Sequence, residues 1–132
     1  MALVKVVCGI IFKDQKVFLC RRMPNKSLGG YWEFPGGKVE IDENHEEALA
    51  RELYEELGMK VLIQSHFKTH THAYDAFTIE LIAYRCSFLD ASYILTDHDQ
   101  YEWVHPHELL QWQLAPADIP IADEIIKTVF PP

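Results

Sequence analysis

The order of apolar patterns along the chain predicts an α/β fold, a mixed sheet with helices packed on it. Three observations carry this reading. Strand-like runs come first, one segment with a helical period interrupts them near residue 44, and helix signals close the chain.

The elements follow in order. Residues 3–12 (LVKVVCGIIF) are rich in valine and isoleucine, a polar KDQK follows, and residues 17–20 (VFLC) resume the apolar run, which predicts a β-hairpin over residues 3–22. MPNKSLGG at residues 23–30 has the composition of a loop. A short strand, YWEF, then meets PGG at residues 35–37, which should break it. From Asn44 to Leu57 the pattern is helical, with Leu49, Ala50, Leu53, Tyr54 and Leu57 on one broad face and Gly58 placed for a C-terminal cap. Residues 60–72 and 77–89 read as two strands joined by an AYDA turn, and YEWV at residues 101–104 as a further strand. Pro106 opens a short helix, PHELLQW, and a last helix runs through about residues 120–129. There is no internal repeat and no low-complexity linker.

The 132 residues fit one compact domain, residues 1–132, and 48% apolar content supplies a core. The net charge of −8, from 20 acidic and 12 basic residues, argues against a surface that coats DNA or RNA. It leaves room for a small anionic ligand, because a bound cation inverts the local field. Cys8, Cys20 and Cys86 are scattered without CxxC spacing, as reduced thiols in a cytoplasmic protein would be. The N-terminal MALVKVVCGIIFK reads as a strand rather than a signal peptide, and no apolar run reaches membrane-spanning length. Oligomeric state is left open.

RELYEELG at residues 51–58 holds Glu52, Glu55 and Glu56 within five positions. With Arg51 at zero and a step of about 100° per residue, they fall near roughly 100°, 40° and 140° in that order, one stripe opposite the leucines. Ala48 is the small residue in that stripe. Neighbouring like charges weaken a helix by about 0.2–0.5 kcal/mol per pair. A solvated face, with Arg51 pairing Glu55 or Glu47, accounts for RELYEEL taken alone, and a metal cradle is the alternative. Glu43 precedes the helix, where a carboxylate suits the positive end of the dipole.

The wider pattern decides between them. Gly37, then Glu43 after five residues, Arg51-Glu52-Leu53 after seven more, then Glu55-Glu56, Gly58 and Met59 resemble the Nudix box with every specified position filled. The resemblance implies a Nudix-type α/β/α sandwich with a loop–helix–loop that binds Mg²⁺ (or Mn²⁺) and hydrolyses a nucleoside diphosphate linked to another group. Magnesium takes oxygen ligands and keeps several waters, so carboxylates plus substrate phosphates suit it. By resemblance Glu52, Glu55 and Glu56 are the metal-binding and water-activating set, with the Gly37 carbonyl as a further ligand. Arg51 orients the glutamates, and Glu43 pairs with it or supports the metal shell.

Outside the box the chain is similar to the MutT-type branch of (deoxy)nucleoside triphosphate pyrophosphohydrolases. WEFPGGKVE at residues 32–40 looks like the strand and loop preceding the box, and LAPADIP at residues 114–120 like the segment that reads the base. Asp118 takes the base-contacting position and, as aspartate, looks more like the CTP pyrophosphohydrolases than the 8-oxoguanine sanitisers. A carboxylate accepts from an exocyclic amine such as that of cytosine; the other reading of Asp118 is a carboxylate at a helix N-terminus. Arg22 matches a substrate contact, Phe34 a base-stacking position on the pocket side, and Asp97 an extra acid near the metals. Tyr74 lies where dinucleoside polyphosphate hydrolases carry a tyrosine. The strand near Phe77 lacks an arginine found in several relatives. His66, His70 and His72 alternate along a strand and read as one side of a half-exposed sheet. The resemblance implies Mg²⁺-dependent hydrolysis of a (deoxy)nucleoside triphosphate, with a modified or cytosine-type pyrimidine as the leading base, to monophosphate and pyrophosphate, with no nucleic-acid polymer and no membrane as partner. An 8-oxo-dGTP-type hydrolase, or a silent nucleotide-binding module, is the alternative.

Overall fold

The computed structural model describes residues 2–128. Strands β1 (Ala2–Lys13) and β2 (Lys16–Arg22) form the expected hairpin. Asp14 and Gln15 close it at φ 49° and 66°, two successive left-handed residues whose twist suits a tight hairpin. The two strands pair only beside this turn, at Phe12↔Val17 and Lys13↔Lys16, and then diverge.

Strands β3 (Trp32–Glu33) and β4 (Gly36–Lys38) occupy the divergence. β3 pairs with β2 through Cys20↔Glu33 and Arg21↔Trp32, and β4 with β1 through Val7↔Gly37 and Cys8↔Gly36. The expected break falls at Phe34–Pro35, where β3 ends, and the two glycines then open a separate strand on β1, which the sequence reading did not include. The close pairing has a steric basis: a Cβ on Gly36 would collide with the Val7 carbonyl, so glycine permits a strand this close.

Strand β6 (Phe77–Ala91) runs parallel to β1 from Ala2↔Phe77 to Phe12↔Ser87 and antiparallel to β5 (Met59–Ala73). Strand β7 (His98–Val104) flanks β2 from Val17↔Val104 to Arg22↔His98 and completes a seven-stranded mixed sheet. Side chains alternate between the two faces. Val7, Ile11, Phe18, Cys20 and Ile82 pack with helix α1 (His45–Leu57), whereas Cys8, Ile10, Val17, Leu19 and Leu81 pack with helix α2 (Ile119–Thr128). This is an α/β/α sandwich. Two 3-10 turns, Pro106–Gln111 and Pro116–Asp118, lead into α2, and the expected helix end at residue 129 lies outside the described residues. Among the described residues no helix is long and apolar enough to cross a membrane.

Helix α1 starts in a capping box: Asn44 Oδ1 accepts from the Glu47 N–H at 2.8 Å and Glu47 Oε1 accepts from the Asn44 N–H at 3.0 Å. Leu49, Leu53 and Leu57 are at most 1% exposed. Each buried leucine contributes about 1.5–3 kcal/mol, several times the repulsion of one like-charged pair at about 0.2–0.5 kcal/mol, so the helix forms despite its acids. The buried face is rotated from the one expected. Ala48 is fully buried while Tyr54 is 62% exposed, so the glutamate stripe borders the core, which half-buries Glu52 and Glu56.

A second correction concerns the histidines. Register shifts at Ile63/Ser65 and His66/Lys68 interrupt the alternation of β5. His66 packs edge-on against Tyr84, in the α1-side cluster, whereas His70 and His72 stack towards Tyr74, in the α2-side cluster. The three do not share a face.

Gly58 ends α1 at φ 59°, its N–H donating to the Leu53 and Tyr54 carbonyls. Gly58→Ala is expected to lower the unfolding free energy by about 1–2 kcal/mol, the penalty of a left-handed residue with a Cβ, plus the displacement of Ser92 Oγ, which that Cβ would strike. Urea denaturation monitored by circular dichroism measures it.

Candidate functional site

Arg51 lies on α1 at the centre of the acidic stripe. Its Nε and Nη2 donate to both oxygens of Glu43 at 2.6 and 2.9 Å, Nη2 also donates to the Lys38 carbonyl at 3.1 Å, and Nη1 donates to Glu52 at 2.9 Å and Glu55 at 3.2 Å. The Arg51 hydrogen bond holds the Glu43 carboxyl down to about 2, assisted by the Glu40 N–H. Both Glu43 oxygens are thus occupied by protein donors, which makes it a loop clamp.

The three box glutamates differ in surroundings. Glu55 is largely exposed at its side chain (57%). Glu52 is half-buried; burial raises its pKa against the opposing Arg51 guanidinium. A Cβ on Gly37 would collide with the Glu52 carboxyl, so the glycine backbone of β4 lies directly against it. Glu56 is the most enclosed. Its Oε2 is buried without a hydrogen-bond partner. Burial, and next a hydrogen bond to Asp97, push its pKa up to about 9, with the charges of Glu52 and Glu33 adding.

Asp97 reaches this group because the segment after β6 wraps the C-terminal end of α1. Ser92 N–H donates to the Gly58 carbonyl at 3.1 Å, Tyr93 N–H to Leu57 at 3.1 Å, and Thr96 N–H to Glu56 at 3.3 Å. Burial works against the Asp97 charge, but its hydrogen bonds with Glu56 and Lys26 hold its pKa below the ordinary value. Glu52, Glu56, Asp97 and the Gly37 carbonyl are all hard oxygen ligands by chemistry, although the three carboxylates do not converge within 4.8 Å of one another here, and the buried Glu56 oxygen without a donor is the kind of acceptor a hard cation completes. The residues present fit such a cation.

A cavity of about 520 Å³ opens on the divergence of β1 and β2, lined among others by Arg22, Glu33, Phe34, Gly37, Tyr74 and Asp118. Trp32 and Phe34 share the α2-side cluster, as their spacing required, and Phe34 lines the cavity wall. The segment carrying Asp118 is stitched to β3: Trp32 N–H donates to the Gln113 carbonyl at 2.8 Å, and Ala115 N–H to the Trp32 carbonyl at 2.9 Å. Asp118 is 5% exposed, and its Oδ2 accepts from the Phe34 N–H at 2.9 Å. Burial pushes its pKa well above the carboxylate range, with the Glu33 charge adding and the Phe34 N–H and Arg22 opposing. Tyr74 Oη accepts from the Ala117 N–H at 3.1 Å, so this tyrosine braces the turn beside Asp118.

The structure therefore gathers the sequence candidates into two groups. Arg51, Glu52, Glu55, Glu56, Asp97 and Gly37 surround the acidic end, while Arg22, Phe34 and Asp118 line the cavity. Sequence reasoning passed over Glu33 and His98. Glu33 alternates with the two aromatics of WEF and so points to their opposite side, and His98 follows Asp97 directly; both signals were available. With Cys20 they place donor atoms within 4.8 Å of one another, a mixed sulfur, nitrogen and oxygen set unlike the oxygen set at Glu56.

Comparison with protein families matches residues 6–124 to the NUDIX domain. The chain is 37% identical over 123 residues to the CTP pyrophosphohydrolase of Escherichia coli K12, covering 93% of this chain and 91% of that protein. It is 28% identical over 130 residues to the 8-oxo-dGTP diphosphatase of Buchnera aphidicola, covering 98% of each. Among solved structures, the solution structure of the E. coli ORF135 protein superposes with a TM-score of 0.82 at 36% identity, over 99% of this chain and 95% of that one. The chain belongs to the NUDIX domain family and is a hydrolase of the pyrophosphohydrolase kind.

Glu56 fixes a pH dependence for the cation-free protein. Its folded pKa, about 9, lies above the ordinary 4.5, so between those values the folded state holds a proton that the unfolded state has lost. Stability therefore falls as pH rises from about 4.5 to about 9. Glu56→Gln is expected to flatten that slope and raise the melting temperature at the alkaline end, measured by thermal melts in EDTA. An unchanged slope would refute the assignment to Glu56.

Proposed function

We propose that the protein hydrolyses a (deoxy)nucleoside triphosphate to the monophosphate and pyrophosphate with Mg²⁺, and that a cytosine-type or modified pyrimidine is the preferred base. The observation that carries this reading is the position of Gly37. It lines the cavity and also abuts Glu52, so a nucleotide whose base lay near Asp118 would lead its phosphates towards the acids of α1. The E. coli CTP pyrophosphohydrolase, at 37% identity, supports the same substrate class.

In this reading Glu52, Glu56, Asp97 and the Gly37 carbonyl hold the divalent cation, with Glu55 at its solvent side. The cation, when bound, neutralises phosphate charge and acidifies water. The chain's own residues do the rest. Arg51 orients Glu52 and Glu55, and Arg22 meets the nucleotide at the cavity mouth. A box glutamate takes one proton from water as its oxygen bonds to the β-phosphorus. The bond from that phosphorus to the bridging oxygen breaks, the monophosphate leaves with that oxygen, and pyrophosphate carries the oxygen from water.

Asp118, driven towards its protonated form by burial, offers an O–H donor and a carbonyl acceptor side by side. Those complement N3 and the N4 amine of cytosine. The same pair also meets acceptor and donor edges of an oxidised guanine, and the Buchnera relative keeps that second reading in play.

Glu52→Gln and Glu56→Gln are each expected to reduce Mg²⁺-dependent pyrophosphate release by about 10²–10⁴-fold, the usual range for a lost acid–base group, while the proteins stay folded by circular dichroism. Undiminished turnover in both would sink the assignment. Across a panel of natural, 5-substituted and 8-oxo triphosphates, Asp118→Ala is expected to compress the kcat/KM ranking by about ten- to a hundredfold, and Asp118→Asn, which keeps one donor and one acceptor, to preserve it. A ranking untouched by Asp118→Ala removes Asp118 from base reading.

A further inference from the structure

His98 is a buried histidine that the proposed reaction does not use. It is 2% exposed, begins β7 and pairs with Arg22 in the ladder. Its Nε2 lies 2.8 Å from Glu33 Oε2, and its Nδ1 is buried with no partner. A carboxylate only accepts, so the hydrogen belongs on Nε2. A hydrogen on Nδ1 instead would be an unsatisfied buried donor, which is penalised more than a bare lone pair. Arg22 Nη1 donates to the same Glu33 Oε2 at 3.3 Å, while Arg22 Nε donates to the Ser27 carbonyl at 2.6 Å. One oxygen of Glu33 is therefore gripped from two sides, Oε1 has no protein donor among the described residues, and Glu33 lines the cavity.

We propose that His98 is a positioning residue for base selection: it clamps Glu33 so that Oε1 faces the cavity as a fixed acceptor opposite Asp118. The proposal rests on the reading of this cavity as the base site and adds the device that makes its acceptor rigid. An unclamped glutamate would lose side-chain freedom on binding each substrate, and that loss would subtract from affinity. His98 also adjoins Asp97, so it touches both ends of the site, and the two routes leave different kinetic marks. Action through Glu33 raises KM and weakens base preference. Action through Asp97 and the acids lowers kcat instead.

The test compares wild type, His98→Ala, His98→Gln, Glu33→Ala and the Glu33→Ala/His98→Ala double variant. Steady-state kinetics with Mg²⁺ use CTP and UTP, and calorimetry uses α,β-methylene-CTP. His98→Ala is expected to raise KM for CTP, and Kd for the analogue, by about tenfold, as for one lost hydrogen bond to a charged group. kcat should change by no more than about twofold, and the preference for CTP over UTP should shrink with the KM. His98→Gln, whose side-chain amide supplies an N–H, should recover most of the loss, and His98→Ala should add nothing in the Glu33→Ala background. Unchanged KM and preference in His98→Ala, a fall in kcat alone, or a His98→Gln no better than His98→Ala each overturns the proposal. A wild type without base preference overturns the base-site reading itself, and this inference with it. If His98→Ala does not fold, ¹⁵N-histidine spectra of the wild type carry the test. An Nε2–H tautomer whose signal shifts on binding the analogue supports the clamp, and a signal indifferent to it overturns it.

Discussion

The Arg51 guanidinium is the joint between the loop, the sheet and the helix of this fold. Its donors reach Glu43 in the loop, the Lys38 carbonyl at the end of β4, and Glu52 and Glu55 on α1. It is the cation paired with Glu40, Glu43, Glu52 and Glu55 across the loop and the helix. A half-buried arginine can serve because its planar fork satisfies two oxygens of Glu43 at once and still has a nitrogen directed at the helix. What it does not reach is as informative. Glu56 lies beyond its span and keeps its burial penalty in full, expressed as a proton held to about pH 9. The clamp fixes the frame, and the burial penalty is left at the most enclosed of the box glutamates.

The second constraint is the early divergence of β1 and β2. A sheet that splits needs its freed backbone groups satisfied, and residues 32–38 do this from both sides, as β3 on β2 and β4 on β1. The same crossing creates the cavity, since the strands that part to admit it cannot also close over it. Glu33 and Gly37, at the two ends of this short passage, then face different chemistry. Glu33 meets Arg22 and His98, while Gly37 meets Glu52. Only residues 34–36 separate them, so one short passage of chain holds the proposed base end and the acidic end at a fixed separation.

The parts of this arrangement legible from sequence were those written in local pattern. The hairpin, α1 with its caps, the long strands β5 and β6 and the closing helices all announce themselves by period and by Gly, Pro or Asn at the ends. The acids of α1 were legible because their spacing is fixed by one helix. Failures arose where a distant segment decides. PGG breaks β3 as its composition says, but the new strand its glycines form has no sign unless β1 is known to lie beside them. Tyr54 reads as core unless the helix is known to turn Ala48 and Glu56 inwards. The bulges of β5 place His66 apart from His70 and His72, and periodicity has no sign for a bulge. Glu33 and His98 are separated by 65 positions, and neither carries a local signature for the other.

Charge supplies the last step. The chain carries −8, and Gly37 of the cavity wall abuts Glu52 of the acidic helix, yet the proposed substrate is a polyanion. The cationic side chains lining the cavity, among the described residues, are Arg22 and Lys38, and Arg22 is already engaged by Glu33. Protein charge alone would repel the phosphates at this distance, within a Debye length of about 8–10 Å. A cation at Glu52, Glu56 and Asp97 reverses the sign there, so in the proposed reaction it is required for binding as well as for chemistry. The dependence is reciprocal: the triphosphate brings further oxygen ligands that strengthen cation binding by the same factor. The raised pKa of Glu56 belongs to the same linkage, because a cation entering the site displaces the proton that otherwise relieves the crowding of carboxylates.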